Sequence, residues 1–250
     1  MKTTWLLLLG LVASPAFAVE TARTQIDPGA EEKLRQMSNY LAGLKTFRVE
    51  SKAVDEKVTT DGQKLQFLSD SKVTVQRPNK LRDDRLGAAT DTVIRYDGKE
   101  LSIYGKRTGF YASSPAPGTL DGAIDFARAR YGFDAPGGDL LVSRPYDDLM
   151  EDVRSARDLG IETVDGVPCH HLAFRGTNVD WQIWIEDGPR PLPHRYVIST
   201  KDQAARPEFT VNLTRWEPNV PVDASTFNFT PPPGAQRIKW IPVHPDRAAR

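Results

Sequence analysis

The sequence has one cysteine, Cys169, in 250 residues. A chain with a single cysteine forms no internal disulfide, so its stability must come from a packed core. Lysine and arginine together number 33, as do aspartate and glutamate, and no basic block stands out. A nucleic-acid partner is therefore not indicated. H-E-x-x-H, C-x-x-C, G-x-S-x-G, the P-loop and G-x-G-x-x-G are all missing. Zinc-protease, hydrolase, nucleotide and dinucleotide readings thus lack support, and nothing calls for a cofactor. Long apolar runs are missing too. The longest, Trp5 to Val12, is too short to span a bilayer comfortably.

That short run has another use. Lys2 precedes it and Ala16-Phe17-Ala18 follows, a small-x-small cleavage site. Residues 1–18 read as a secretory signal peptide, cleaved to leave a mature chain starting at Val19 in the periplasm. No cysteine follows the cleavage region, so a lipidated N-terminus is not expected. No later segment could span a membrane as a helix. Residues 19–241 read as one domain, and residues 242–250 as a disordered, polar and proline-rich tail.

What is present is β pattern. Val179, Trp181, Ile183 and Ile185 alternate with Asp180, Gln182, Trp184 and Glu186. Phe209, Val211 and Leu213 alternate with Glu208, Thr210, Asn212 and Thr214. Period two with β-branched and aromatic residues marks half-buried antiparallel strands. The stretch from Pro168 to Trp216 reads as a meander with one continuous apolar face. Thr46 to Tyr111 shows the same pattern. Asp-Gly turns at Asp61-Gly62, Asp97-Gly98, Asp165-Gly166 and Asp187-Gly188 predict consecutive hairpins.

Two helices are expected against that sheet. Asp27 can cap the first and Pro28 can open it, with Leu34, Met37, Leu41 and Leu44 in a stripe. Thr119 can cap the second, which carries Leu120, Ile124, Ala127 and Tyr131 and ends at Gly132. Ser113 to Gly118 reads as a loop before it, and Pro145 to Met150 as a short helix after it.

Candidates for chemistry are few. His170, His171 and His194 with Asp180 or Glu186 could bind zinc, but adjacent strand residues point to opposite faces, and no metal site is expected. Cys169 with His171 or His194 could form a nucleophile pair, yet a lone cysteine in a strand is commonly a small apolar core residue. The apolar strand faces could pack as a closed core or leave a ligand cavity; composition leaves both open.

Three motifs resemble a known family. Val75-Gln76-Arg77-Pro78-Asn79-Lys80-Leu81-Arg82 resembles the R-P-N segment of bacterial lipoprotein carriers of the LolA/LppX type. Tyr96-Asp97-Gly98-Lys99-Glu100-Leu101 is similar to their D-G-K hairpin, and Phe227-Asn228-Phe229-Thr230-Pro231-Pro232-Pro233-Gly234 to their closing segment. Cys169 to Phe174, Trp181 to Ile185 and Pro191-Leu192-Pro193 further resemble a group of predicted periplasmic proteins of unknown function.

The resemblance implies an α+β fold: a strongly curved antiparallel sheet, an unclosed barrel, with helices covering its concave face. It implies non-catalytic binding of a lipid, a lipoprotein acyl chain or another apolar ligand. A sensor module that binds an envelope protein is the alternative, and a metal-dependent enzyme using the histidines a more distant one. The expected lining is Phe47 and Val49 from one strand, Phe67, Val73 and Val75 from the next, and Ile103. Trp181 and Ile183, then Phe209, Val211 and Leu213, complete it. In the carriers an arginine at the R-P-N position holds the helical lid shut, and the matching residue here is Arg77.

Overall fold

A computed structural model describes residues 25–243 apart from 134. The expected signal peptide and residues 244–250 of the expected tail lie outside the described residues.

The first helix among the described residues is α1 (Pro28–Gly43). Asp27 caps it, its Oδ1 accepting from Gly29 N at 2.7 Å and Ala30 N at 3.4 Å. Leu34, Met37 and Leu41 are fully buried on one face. Six strands follow: β1 (Thr46–Val58), β2 (Lys64–Gln76), β3 (Lys80–Gly87), β4 (Asp91–Tyr96), β5 (Glu100–Gly105) and β6 (Phe110–Pro115). Helix α2 (Leu120–Tyr131) starts from a Thr119 cap and ends at Gly132, whose φ of 62° is the left-handed conformation that lets the chain turn away. A short turn and helix α3 (Pro145–Met150) complete the insert. Strands β7 (Val153–Val164), β8 (Val167–Gly176), β9 (Val179–Glu186), β10 (Pro193–Thr200) and β11 (Glu208–Pro218) form the second half, and β12 (Gln236–Arg237) is the last strand among the described residues.

All the strands join one open sheet in the order β12-β6-β5-β4-β3-β2-β1-β11-β10-β9-β8-β7. Two meanders, β1 to β6 and β7 to β11, are joined where β1 pairs antiparallel with β11. β12 adds the sheet's parallel pair, against β6. The Asp-Gly turns fall between β1 and β2, β4 and β5, β7 and β8, and β9 and β10. At Asp165-Gly166 both residues have positive φ, 49° and 84°, the combination a two-residue hairpin turn requires.

This topology dictates the cover. β6 and β7 lie on opposite flanks of the sheet, so the insert between them must cross from one side to the other. It crosses over the concave face and carries α2 and α3 with it. The two faces differ in chemistry. The outer face holds ion pairs such as Arg48–Glu217 at 2.8 Å and Lys72–Glu50 at 2.9 Å. The covered face holds the core, including Phe47, Leu172, Phe174 and Ile183. Each buried Leu, Ile or Phe side chain contributes about 1.5–3 kcal/mol, against about 0–1 kcal/mol for an exposed ion pair. The covered face therefore dominates stability.

Lys80–Gly87 lies within the span read as β and is strand β3, although four consecutive charges hide its alternation. Hydrogen bonding to β2 and β4 on both sides compensates for its polarity. Ser113 and Ser114, expected in a loop, extend β6 instead, with Ser113 Oγ 2.8 Å from Ser102 Oγ across the ladder.

Candidate functional site

The two halves of the covered face are filled differently. α1 lies directly on β7, β8 and β9. There Phe174 stacks on Trp181 at 3.8 Å, and Trp181 meets Tyr196 edge-on at 5.8 Å. Over the other half, α2 and residues 135–141 face β1 to β5 and β11 across a cavity of about 130 Å³.

Val49, Val73 and Ile103 line this cavity, as do Phe209, Val211 and Leu213 from β11. Ala123, Ile124 and Ala127 line it from α2, and Trp216 and Trp240 add aromatic surface. Others of the expected lining residues lie elsewhere. Phe47 and Val75 are fully buried in the solid core, Phe47 with its ring 5.7 Å from that of Trp216. Trp181 and Ile183 are buried on β9, in the half that α1 fills. Phe67 is on the far part of the β1–β2 hairpin, beyond the helices, and is 36% exposed. These five have the alternation of lining residues, but none of them borders the cavity: four are sealed in solid packing and the fifth lies outside the cover.

Two charged residues line the cavity among the described residues, Asp83 and Arg85. Both point inward from β3, while Arg82 and Asp84 pair on its outer face at 2.6 Å. Arg85 Nη2 donates to Asp83 Oδ2 at 3.1 Å, and Arg85 Nε to Ser71 Oγ at 3.2 Å. Asp83 Oδ1 is buried with no hydrogen-bond partner among the described residues. Burial pushes the Asp83 carboxyl above the usual carboxylate range, against the opposing pull of the Arg85 charge and of the Ser71 hydroxyl, which is placed to donate to the carboxyl. Reading the sequence does not find either residue. The signal available is Leu81 and Leu86 flanking four consecutive charges, a strand disguised as a polar turn.

The cover is tied down at several points. The Tyr96 hydroxyl donates to Pro117 O, and Leu120 N donates to Pro78 O at 3.0 Å, so the start of α2 is fixed to the sheet. At its end Tyr131 stacks on Trp240 at 4.3 Å and bonds Ser114 Oγ at 2.8 Å. Val243 N reaches Arg130 O at 3.1 Å. Arg77 Nη1 donates to Leu141 O at 2.8 Å and its Nη2 to Leu41 O at 3.5 Å. One side chain from the end of β2 thus meets both the insert and the last turn of α1. Burial lowers the Arg77 pKa, and the charge of Asp121 partly restores it.

A larger polar groove of about 510 Å³ lies beside the cavity, bordered by Asp55, Lys57, Arg128 and Glu208. Ala135, Pro136 and Phe209 line both spaces.

The histidines are not brought together. His171 stacks on Trp184 at 4.0 Å, with Nδ1 3.1 Å from Glu162 Oε1 and Nε2 2.9 Å from Gln182 Oε1. His170 sits 3.1 Å from Asp187 Oδ1, and His194 3.1 Å from Glu186 Oε2. Among the described residues, no three His, Cys, Asp or Glu side chains are placed to hold a metal ion. Cys169 is buried with Trp184 and Val197, and burial pushes its thiol up to about 11. A thiol held so high supplies little thiolate for nucleophilic work.

A family described as predicted periplasmic proteins, DUF2092, matches residues 30–241. The chain belongs to that family. Cys169 to Phe174 and Trp181 to Ile185, the segments that resemble such a group, both fall within the match. Among solved structures, an uncharacterized conserved protein from Thermus thermophilus has a similar fold. It is 12% identical with a TM-score of 0.51, covering 84% of this chain and 99% of that one. LprF from Mycobacterium bovis is 18% identical with a TM-score of 0.49, covering 85% and 100%. The lipoprotein LppX of Mycobacterium tuberculosis is 14% identical with a TM-score of 0.45, covering 79% and 99%. No curated protein matches the sequence. No helix among the described residues is long and apolar enough to cross a membrane.

Proposed function

We propose that this DUF2092 protein is a periplasmic, non-catalytic binder or carrier of a lipid, a lipoprotein acyl chain or another apolar ligand. One observation carries the reading: an apolar cavity between sheet and helical cover, present in one half of the covered face and filled in the other. Its volume of about 130 Å³ is close to that of an engineered apolar cavity of about 150 Å³ that takes up benzene. It is below the roughly 300–1,000 Å³ of ordinary ligand pockets. The closed form therefore admits a short apolar group, and a longer chain enters as the cover lifts. Each methylene taken up contributes about 0.8 kcal/mol, so a long acyl chain outweighs several of the ties that hold the cover. Arg77 is the tie best placed to act as the latch, because it grips both the insert and α1.

Trp216 and Trp240 report on the cavity, whereas Trp181 is packed away from it. Titration with long-chain lipids should shift tryptophan fluorescence, and native mass spectrometry should show the bound lipid. Ala123→Phe, which fills the cavity from α2, should abolish both signals in a folded protein. A saturating titration with no shift and no lipid adduct would overturn the ligand-binding reading.

A second reading, a module that docks an envelope protein, is favoured by exposed Leu65, Phe67, Leu68 and Leu86 toward the far ends of β2 and β3. Leu68→Asp should weaken retention of such a partner while lipid binding is unchanged; equal retention by the variant would remove this reading.

A further inference from the structure

Asp83 sits where an apolar residue would be expected. The register runs Val49, Val73, Asp83, Ile94, Ile103 across five neighbouring strands. All five line the cavity, and the other four are hydrocarbon. Asp83 is only 5% exposed. Its Oδ2 is engaged by Arg85, while its Oδ1 is buried in the cavity wall without a partner among the described residues. An unpartnered buried acceptor is costly and rare in native proteins. The outer pair Arg82–Asp84 does not need it, and no helix is tied through it. Beside it Ser71 and Ser51, cross-strand partners on β2 and β1, extend a small polar patch in an otherwise apolar lining.

A wholly apolar ligand would bury Oδ1 further and give it nothing. An anionic head group would face the Asp83 carboxyl, whose pairing with Arg85 already uses Oδ2. A neutral or cationic hydrogen-bond donor matches what is there. We infer that the ligand of this cavity is an amphiphile, an apolar body carrying one hydroxyl or amine whose proton is donated to Asp83 Oδ1. The inference rests on the cavity being the binding site proposed above, and it adds the chemistry of the head.

The test uses the whole protein and probes with an eight-carbon or similar chain that differ at one end. Octanol, octylamine, methoxyoctane, nonane and octanoate each compete with bound N-phenyl-1-naphthylamine. Octanol or octylamine should bind about tenfold more tightly than methoxyoctane, which has the oxygen but no donor. A preference for octylamine over octanol assigns an amino head, and the reverse a hydroxyl. Asp83→Asn, which keeps an acceptor oxygen, should retain the octanol preference. Asp83→Leu should abolish it while methoxyoctane binds at least as well as before. Equal binding of octanol and methoxyoctane by the wild-type protein overturns the inference and leaves the cavity reading intact. Failure of all five probes to displace the dye from the wild-type protein overturns both. If Asp83→Leu does not fold, the wild-type comparison of octanol with methoxyoctane still decides.

Discussion

Asp83 also has a consequence for stability. A carboxyl whose pKa is higher in the folded than in the unfolded chain binds its proton more tightly when folded. Stability is then greatest at low pH and falls as pH rises from the unfolded value, near 3.8, through the folded one. Asp83→Asn removes the charge and keeps the shape. It should raise the melting temperature at pH 7 and leave it nearly unchanged below pH 4, each kcal/mol amounting to about 2–4 °C. Thermal melts of both proteins across that range check it, and an equal shift at all pH values would assign the effect to packing. Cys169 gives a simpler test. Buried, with its thiol pushed up to about 11, it should resist alkylation at pH 8 in the native protein and react fully once the chain is unfolded. Single residues are legible in the sequence where alternation holds. The pattern puts Trp184 on the opposite face from Trp181, and the two fall in separate clusters. Asp83 and Arg85 are not legible, because β3 carries charges on both of its faces and alternation needs a contrast to show.

Helices are the most legible elements, since their ends are marked by local chemistry: Asp27 and Pro28 open α1, and Thr119 and Gly132 bound α2. What the sequence does not convey is how far each helix stands from the sheet. Val49 and Trp181 have the same pattern, yet one borders a cavity and the other lies in solid packing. That spacing is set by side chains distant in sequence, such as Arg77 with Leu141 and Tyr131 with Trp240. Arg77→Leu should therefore act mainly on the cover. The lost hydrogen bonds are worth about 0.5–1.5 kcal/mol each, offset by relief of a buried guanidinium whose Nε has no partner among the described residues. The melting temperature should fall by about 2–4 °C at most. Amide exchange at residues 135–141 and the lipid exchange rate should both rise several-fold. Unchanged exchange in a folded Arg77→Leu protein would show that Arg77 does not hold the cover.

At the scale of the molecule, the antiparallel sheet follows from four Asp-Gly turns, but the closing pair does not. Nothing local announces that β1 finds β11, because neither strand's sequence names its distant neighbour. The ion pair between Arg48 and Glu217 in that ladder spans 169 residues. Contacts of such separation slow folding, since the intervening chain must be ordered before they form. Refolding from urea should take milliseconds to seconds or longer, with tryptophan fluorescence from Trp216 recovering in the last phase. Recovery of that signal within microseconds would contradict a closing step at β1–β11.

The same seam bears on how the chain is made. Synthesis delivers the N-terminal half first, so β1 has one edge unpaired until β11 is made. An unpaired strand edge is a template for another chain. The early edge of β1 carries Arg48, Glu50, Lys52 and Asp55, charges that discourage a second molecule from docking there. A chain arrested before residue 208 would keep that edge open, so despite those charges a fragment ending there should self-associate through β1 more readily than the full chain, in which β11 covers that edge.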